Sequence, residues 1–339
     1  MRTLLSLVAL LVLATFAQAD DVSITPGKDT VEFKAGSSVV AKYAIDQKYS
    51  KPFMYPVLAP GGVEVTRGWP MTPLPPMGTN DHVHQKSVWF CHGDVIPEGI
   101  ELKVKTTDKA GKGVDFWSEA KDKDGTKRHG HLVCVKVGEV KQHAKNHASL
   151  ETRNEWRTPD GVKIMDEIRV IHLIDNPEGR LFVFEITLQA TVCPISFGDT
   201  KEGSFGIRVR DEFRMEKRKD TIGGEGLMTN SLGKAVEKDI WGLPGDWVDT
   251  SGKVDGKEFG VAVFDHPKNP RASWHARAYG LVAANPFGRK ASGFPSQQDK
   301  TDLLKIEKGG ELKLKYGVYA HIGNAKTGKV AEAYEAFKK

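Results

Sequence analysis

Three histidines, two aspartates and a lysine crowd into Asp81-His82-Val83-His84-Gln85-Lys86-Ser87-Val88-Trp89-Phe90-Cys91-His92-Gly93-Asp94. Groups that titrate or ligate near neutrality are costly to bury and of little use to an ordinary surface loop. With residues 87–91 as a strand, His82 and His84 stand at its entrance, two residues apart, and project to the same face. Paired imidazoles aimed one way can bind a metal, share a proton or grip a hydroxylated ligand. They can also do no more than pin a loop to a sheet.

Two later stretches carry further chemistry. Residues 197–208 place Asp199, Lys201, Glu202 and Arg208 within one turn and strand start, among glycines and phenylalanines. A solvated hairpin would make such charges unremarkable, but a tight turn packed on the core would partly bury them and shift their pKa values. In residues 265–279, Trp274, His275 and Arg277 offer an apolar platform, a proton donor or acceptor and a fixed cation, with Tyr279 close behind. An aromatic face beside Arg and His suits a sugar or a carboxylate; the same residues could brace a loop. His129 and His131 form another same-face pair, but Lys127 and Arg128 beside them disfavour a cation. His143 and His147 lie in polar, loop-like sequence and read as surface residues.

Strict alternation supplies the elements that must position these groups. Residues 180–191 put Phe182, Phe184, Ile186, Leu188 and Ala190 on one face and Val183, Glu185, Thr187, Gln189 and Thr191 on the other. Residues 311–322 repeat the device with Leu312, Leu314, Tyr316, Val318 and Ala320, and residues 100–105 interleave Ile, Leu and Val with charge. Residues 131–137, 163–173 and 259–264 read as further strands, separated by turn signals such as Asp124-Gly125 and Asn176-Pro177-Glu178-Gly179. Only the C-terminus offers a helix, with Val330, Tyr334 and Phe337 at i, i+4, i+7. The expectation is an all-β protein: a single large sandwich of mostly antiparallel strands over residues 20–339, closed by a short helix. Two stretches break the alternation: residues 67–81, with four prolines, and residues 220–250, rich in Gly and Trp. No Gly-Lys-Ser/Thr follows the glycines, so they are not a phosphate loop. Restricted loops on a rigid β scaffold are where binding sites are commonly built.

Bulk properties narrow the function. Residues 1–19 read as a secretory leader, with Arg2, an apolar run and the small-residue pattern Ala17-Gln18-Ala19, so the mature chain is expected to begin after Ala19 in the periplasm or medium. The apolar run falls short of the roughly 20 residues of a membrane span. A net charge of +5, with acids and bases interspersed, argues against nucleic acid as a partner. The three cysteines, Cys91, Cys134 and Cys193, sit among apolar residues and read as buried small hydrophobes without zinc-site spacing.

Taken in order, Lys51-Pro52-Phe53-Met54-Tyr55-Pro56, the Asp-His-x-His…Trp-Phe…His-Gly-Asp segment, the 198–208 stretch and Trp274-His275-Ala276-Arg277…Tyr279-Gly280 resemble the domain family labelled "methane oxygenase PmoA", over nearly the whole mature chain. That label implies a metal-dependent oxygenase. Family members often have Asp-His-Pro-His-His where this chain has Asp81-His82-Val83-His84-Gln85, so a third clustered imidazole is replaced. The arrangement also looks like the aldose-epimerase type of sugar-binding sandwich.

Three readings follow. The leading one is a carbohydrate-active enzyme of epimerase, lyase or hydrolase type that needs no cofactor. His82, His84 or His275 would exchange protons, Glu202 would be the carboxylate base, and Lys201, Arg208 or Arg277 the electrostatic clamp. Asp81, Trp89, Asp199, Trp274 and Tyr279 would bind substrate, with Trp274 stacking on the ring. The second is an oxygenase holding iron or copper on His82 and His84, with a carboxylate or His275 as a third ligand. The third is a non-catalytic glycan-binding protein.

Overall fold

The computed structural model describes residues 21–104, 111–119 and 121–339. The leader-like residues 1–19 lie outside this set. Alternation has become sheet wherever an apolar face found a partner. The strand Gly179–Gln189 sends Phe182, Phe184, Ile186 and Leu188 into the main core, and Glu311–Ile322 sends Leu314, Tyr316, Val318 and Ala320 beside them. These two strands pair antiparallel, Phe184 opposite Tyr316.

Two eight-stranded sheets carry the fold. The first runs Val22–Pro26, Thr30–Ala35, Ser38–Ala44, Phe53–Val57, Val88–His92, Gly203–Arg208, Leu281–Asn285, Ser273–Arg277. The second runs Leu227–Asn230, Trp247–Val254, Lys257–Asp265, Glu311–Ile322, Gly179–Gln189, Lys163–Asn176, His147–Arg157, His131–Ala144. Pairing is antiparallel throughout. A small three-stranded sheet, Leu304–Ile306, Ile195–Phe197 and Val95–Pro97, completes it.

Aromatic rings bridge the two large sheets. Phe205 stacks on Tyr316 at 4.7 Å, Phe184 meets Phe205 at 5.1 Å, and Phe33 meets Phe182 edge-on at 6.2 Å. Each fully buried Phe contributes roughly 1.5–3 kcal/mol of transfer free energy, which makes the sheet interface the main source of cohesion. The helix Val330–Phe337 covers the opposite face of the second sheet, where Val330, Tyr334 and Phe337 pack with Leu181, Val183, Phe264 and Tyr319. Among the described residues no helix is long and apolar enough to cross a membrane. Cys91 and Cys193 are buried and Cys134 is half-buried, all as free thiols.

One expected strand does not form. The described part of residues 100–105 is irregular chain with a bend at residues 103–104. The preceding strand ends at Pro97, and Gly99 takes φ +80°, which turns the chain out of the sheet. Alternation marks a wet and a dry face, but a strand also needs a neighbour to bond.

The first sheet's pleat decides what faces its outer side. Phe205 and Ile207 point into the core, so Ser204, Gly206 and Arg208 point out. Register then aligns Trp89, Gly206, Ala283 and His275 in one row across four strands, and Arg208, Leu281 and Arg277 in the next. The middle of the first row carries nothing larger than a methyl group. A Cβ at Gly206 would lie 2.9 Å from Trp89 Cζ2, so the indole leans over bare backbone.

Candidate functional site

On that outer face lies a cleft of about 530 Å³ lined by His82, His84, Gln85, Gly93, Asp115, Trp117, Ser118, Thr200, Lys201, Glu202, His275, Arg277 and Tyr279. All three polar stretches of the sequence therefore meet in one place. His275 and Arg277 come from the strand edge, Lys201 and Glu202 from the loop before Gly203, and the two histidines from the turn ahead of Val88. The loop is tied down where Gly93 N–H donates to the Glu202 carbonyl at 2.7 Å and Asn285 Nδ2 to the Thr200 carbonyl at 2.9 Å.

His82 and His84 share the cleft for a reason other than strand pleat. Residues 82–84 form a turn, and His82 takes φ +50°, in the left-handed region. A non-glycine residue held there is strained backbone, kept by its surroundings. His82 lies flat on Tyr279, ring centroids 4.8 Å apart at 6°. It meets His84 edge-on at 5.7 Å.

Beneath this turn one carboxylate serves three arginines. Asp81 Oδ1 accepts from Arg67 Nη1 at 2.7 Å and Arg208 Nη2 at 2.6 Å, and Oδ2 from Arg218 Nη1 at 2.7 Å. Burial works to raise the Asp81 pKa, but the bond to His82 and the charges of Arg208, Arg218 and Arg67 prevail and hold it well below the usual carboxylate range. Arg208 also donates to Gln85 Oε1 at 2.7 Å and lies under the Tyr279 ring at 4.7 Å. Asp81 and Arg208 are thus the foundation of the His82–Tyr279 wall and do not line the cleft.

The other wall rests on Glu119. It takes Lys86 Nζ at 2.5 and 2.6 Å and Ser50 Oγ at 2.5 Å, with Lys51 Nζ at 3.5 Å. Burial opposes its ionisation, yet Lys51 and Lys86 pull it down to about 2. Burial and the nearby Lys51 charge push His84 down to about 3. Burial, Lys201 and Arg277 do the same to His275, which also falls to about 3. Both imidazoles are neutral at neutral pH. His275 is 3 % exposed, and its Nδ1 has no hydrogen-bond partner among the described residues. Lys201 pairs with Glu202 at 3.1 Å, and Arg277 with Glu237 at 3.0 Å.

Three more of the expected binding residues, besides Asp81, lie elsewhere. Trp274 is fully buried on the inner side of its strand, its Nε1 donating to the Gly245 carbonyl at 3.0 Å. Neighbouring residues on a strand face opposite ways, so a strand that presents His275 and Arg277 must hide Trp274. Trp89 is buried behind Trp117, ring centroids 5.2 Å apart. Asp199 accepts three backbone N–H groups, from Arg289, Ala291 and Ser292, and braces the short helical turn Lys290–Ser292.

The indole that lines the cleft is instead Trp117, only 1 % exposed, with Asp115 capping its loop by accepting the Trp117 N–H at 2.7 Å. Trp117, Asp115, Ser118, Gln85 and Thr200 were not singled out from the sequence. The run Val114-Asp115-Phe116-Trp117 close after Gly111 and Gly113, with no alternation, was the available signal. His82, His84 and His275 are not a compact ligand set. Among the described residues, the group of three whose ligating atoms lie within 4.8 Å of one another is His143, His147 and His172.

The sequence profile of a family of unknown function, DUF6807, matches residues 30–335. The match gives no support to the methane-oxygenase label. No curated protein matches this sequence. Among solved structures, the chain is similar to the galactosidase domain of an alpha-galactosidase-sucrose kinase, at 7% identity and TM-score 0.42, covering 89% of this chain and 42% of that one. It is similar to a galactose mutarotase-like protein from Lactobacillus casei, at 10% identity and TM-score 0.37, covering 88% and 100%. A galactose mutarotase related enzyme from Lactobacillus acidophilus is similar at 11% identity and TM-score 0.33, covering 88% and 97%.

Proposed function

The chain belongs to the DUF6807 family, and we propose that its cleft binds a sugar or sugar-derived molecule and moves a proton on it. The observation that carries this reading is the meeting of Glu202, His275, Arg277, Lys201, Trp117 and Tyr279 around one cleft. Convergent polar groups suit the hydroxyls of a sugar, and the exposed His82 ring, stacked flat on Tyr279, offers a planar surface beside them. An imidazole held at about 3 is a poor resting base. Its neutral form serves better as a hydrogen-bond donor to an oxygen that gains charge.

In this reading Glu202 takes a proton from the carbon beside a substrate carbonyl. The C–H electron pair becomes the C=C bond of an enolate, and the carbonyl π pair moves to the oxygen, held by an N–H of His275 and the charge of Arg277. Return of a proton to the carbon, from either face, gives the starting sugar or its isomer, with no atom gained or lost. We further propose, from the leader-like residues 1–19, that this activity lies outside the cytoplasm, which N-terminal sequencing of the mature protein checks.

The test is a panel of aldoses, ketoses and uronic acids incubated with the protein in deuterium oxide and followed by proton NMR. Solvent deuterium should enter one carbon, and Glu202→Gln should lower the rate about 10²–10⁴-fold while affinity survives. Exchange undiminished in Glu202→Gln overturns the assignment of the base. Binding without exchange in the unmodified protein assigns the cleft to glycan recognition.

A further inference from the structure

We infer that His143, His147 and His172 form a binding site for a divalent transition metal of the zinc type, on the opposite side of the sandwich from the cleft. They come from three neighbouring strands of the second sheet, His131–Ala144, His147–Arg157 and Lys163–Asn176. Register brings them together. His172 lies directly across from Ser149, two residues beyond His147, so those three share a face. His143 is the extra residue of a β-bulge, between the pairs Gln142–Ala148 and Ala144–His147. Bulges commonly re-aim one side chain, and this one brings His143 Nε2 to 2.8 Å from Ser149 Oγ.

The distances fit a shared cation. His147 Nε2 and His172 Nδ1 are 3.0 Å apart, and one ligating atom from each residue falls within 4.8 Å of the others. Nitrogens bound tetrahedrally at about 2.0–2.1 Å stand roughly 3.4 Å from one another, so small ring rotations close the set. Two bare imidazole nitrogens at hydrogen-bond distance can share one proton or one metal ion. Three nitrogen donors select zinc, copper or nickel over magnesium or calcium.

The surroundings complete the case. The remaining nitrogen of His172, Nε2, is buried without a hydrogen-bond partner among the described residues, and Glu185 Oε2 lies 3.9 Å from it. A carboxylate behind a histidine is the usual way to fix its ring for metal. His147 and His172 open onto a groove of about 460 Å³ between the sheet and the C-terminal helix, walled by Ile174, Tyr319 and Phe337. Three protein ligands leave a fourth position, which water or a small donor in that groove would fill.

The test is titration of the untagged, chelator-treated protein with zinc chloride by calorimetry. One equivalent should bind at micromolar affinity or better, and His143→Ala, at an exposed position, should weaken it at least about 10-fold. Glu185→Gln should weaken it about 10–100-fold. Should His172→Ala fail to fold, His143→Ala and His147→Ala carry the test. Millimolar affinity, or affinity unchanged in both variants, overturns the site. His275→Ala should leave zinc binding unchanged; its loss there would move the metal to the cleft and equally overturn the assignment.

Discussion

The two histidine groups sit on the two outer faces of one sandwich and are built on opposite plans. In the cleft, His82, His84 and His275 come from segments almost two hundred residues apart, and each has its own neighbour: Tyr279 beneath His82, Trp117 beside His84, Lys201 and Arg277 against His275. At the hairpin, His143, His147 and His172 face one another, ring centroids 4.3–5.6 Å apart. Burial and the two neighbouring imidazoles push His147 down to about 4, so it too is neutral at neutral pH. The spread group lines a cleft of about 530 Å³, and the compact group converges on a point. Histidine content alone does not distinguish these plans; register does.

Four substitutions would break or sharpen this contrast. The largest effect is expected from His275→Ala, which should lower proton-exchange turnover by about 10²–10⁴-fold with an unchanged circular dichroism spectrum. Equal activity in the variant would remove His275 from the chemistry. Next, Asp81→Asn should cost about 3–5 kcal/mol in urea denaturation, because Arg67 and Arg208 are left buried with an uncompensated charge. The hairpin group should keep its zinc affinity once the variant is folded.

The third concerns acid stability. Glu119 ionises at about 2 in the folded chain against about 4.3 unfolded. As pH falls the unfolded state takes the proton first, so this contribution is fully present above about pH 4.3 and is lost between there and pH 2. Glu119→Gln should flatten that part of the stability curve, measured by denaturation at stepped pH. An unaltered slope would mean the Lys51–Lys86–Glu119 wall contributes nothing. The smallest effect belongs to Tyr279→Phe: its hydroxyl meets Gln85 Nε2 at 3.4 Å, so ligand affinity should change by less than about 1 kcal/mol. A larger loss would give the hydroxyl a direct contact with substrate.

Much of the architecture was legible because period-two alternation is a direct print of a half-buried strand. Residues 180–191 and 311–322 show it, and the helix spacing of Val330, Tyr334 and Phe337 is as plain. What alternation cannot carry is neighbourhood. The described part of residues 100–105 has no partner strand despite its alternation, and His143 and His147 look like loop residues until His172 arrives from the next strand. Trp274 shows a different loss. Its type suggested a sugar platform, but its position beside His275 already required the opposite face. The indole that does line the cleft, Trp117, came from a stretch with no periodicity to read.

Asp81 has a consequence for the order in which the chain assembles. Two of its partners, Arg208 and Arg218, lie 127 and 137 residues away along the sequence. Contacts of that separation pay their loop-closure cost before they return anything, and they form late. The hairpin histidines need separations of only 6 and 25 residues through Ser149 and His172, so their meeting can precede the rest. The cleft therefore comes into being only with the finished molecule, and ligand binding there reports that the whole chain has folded.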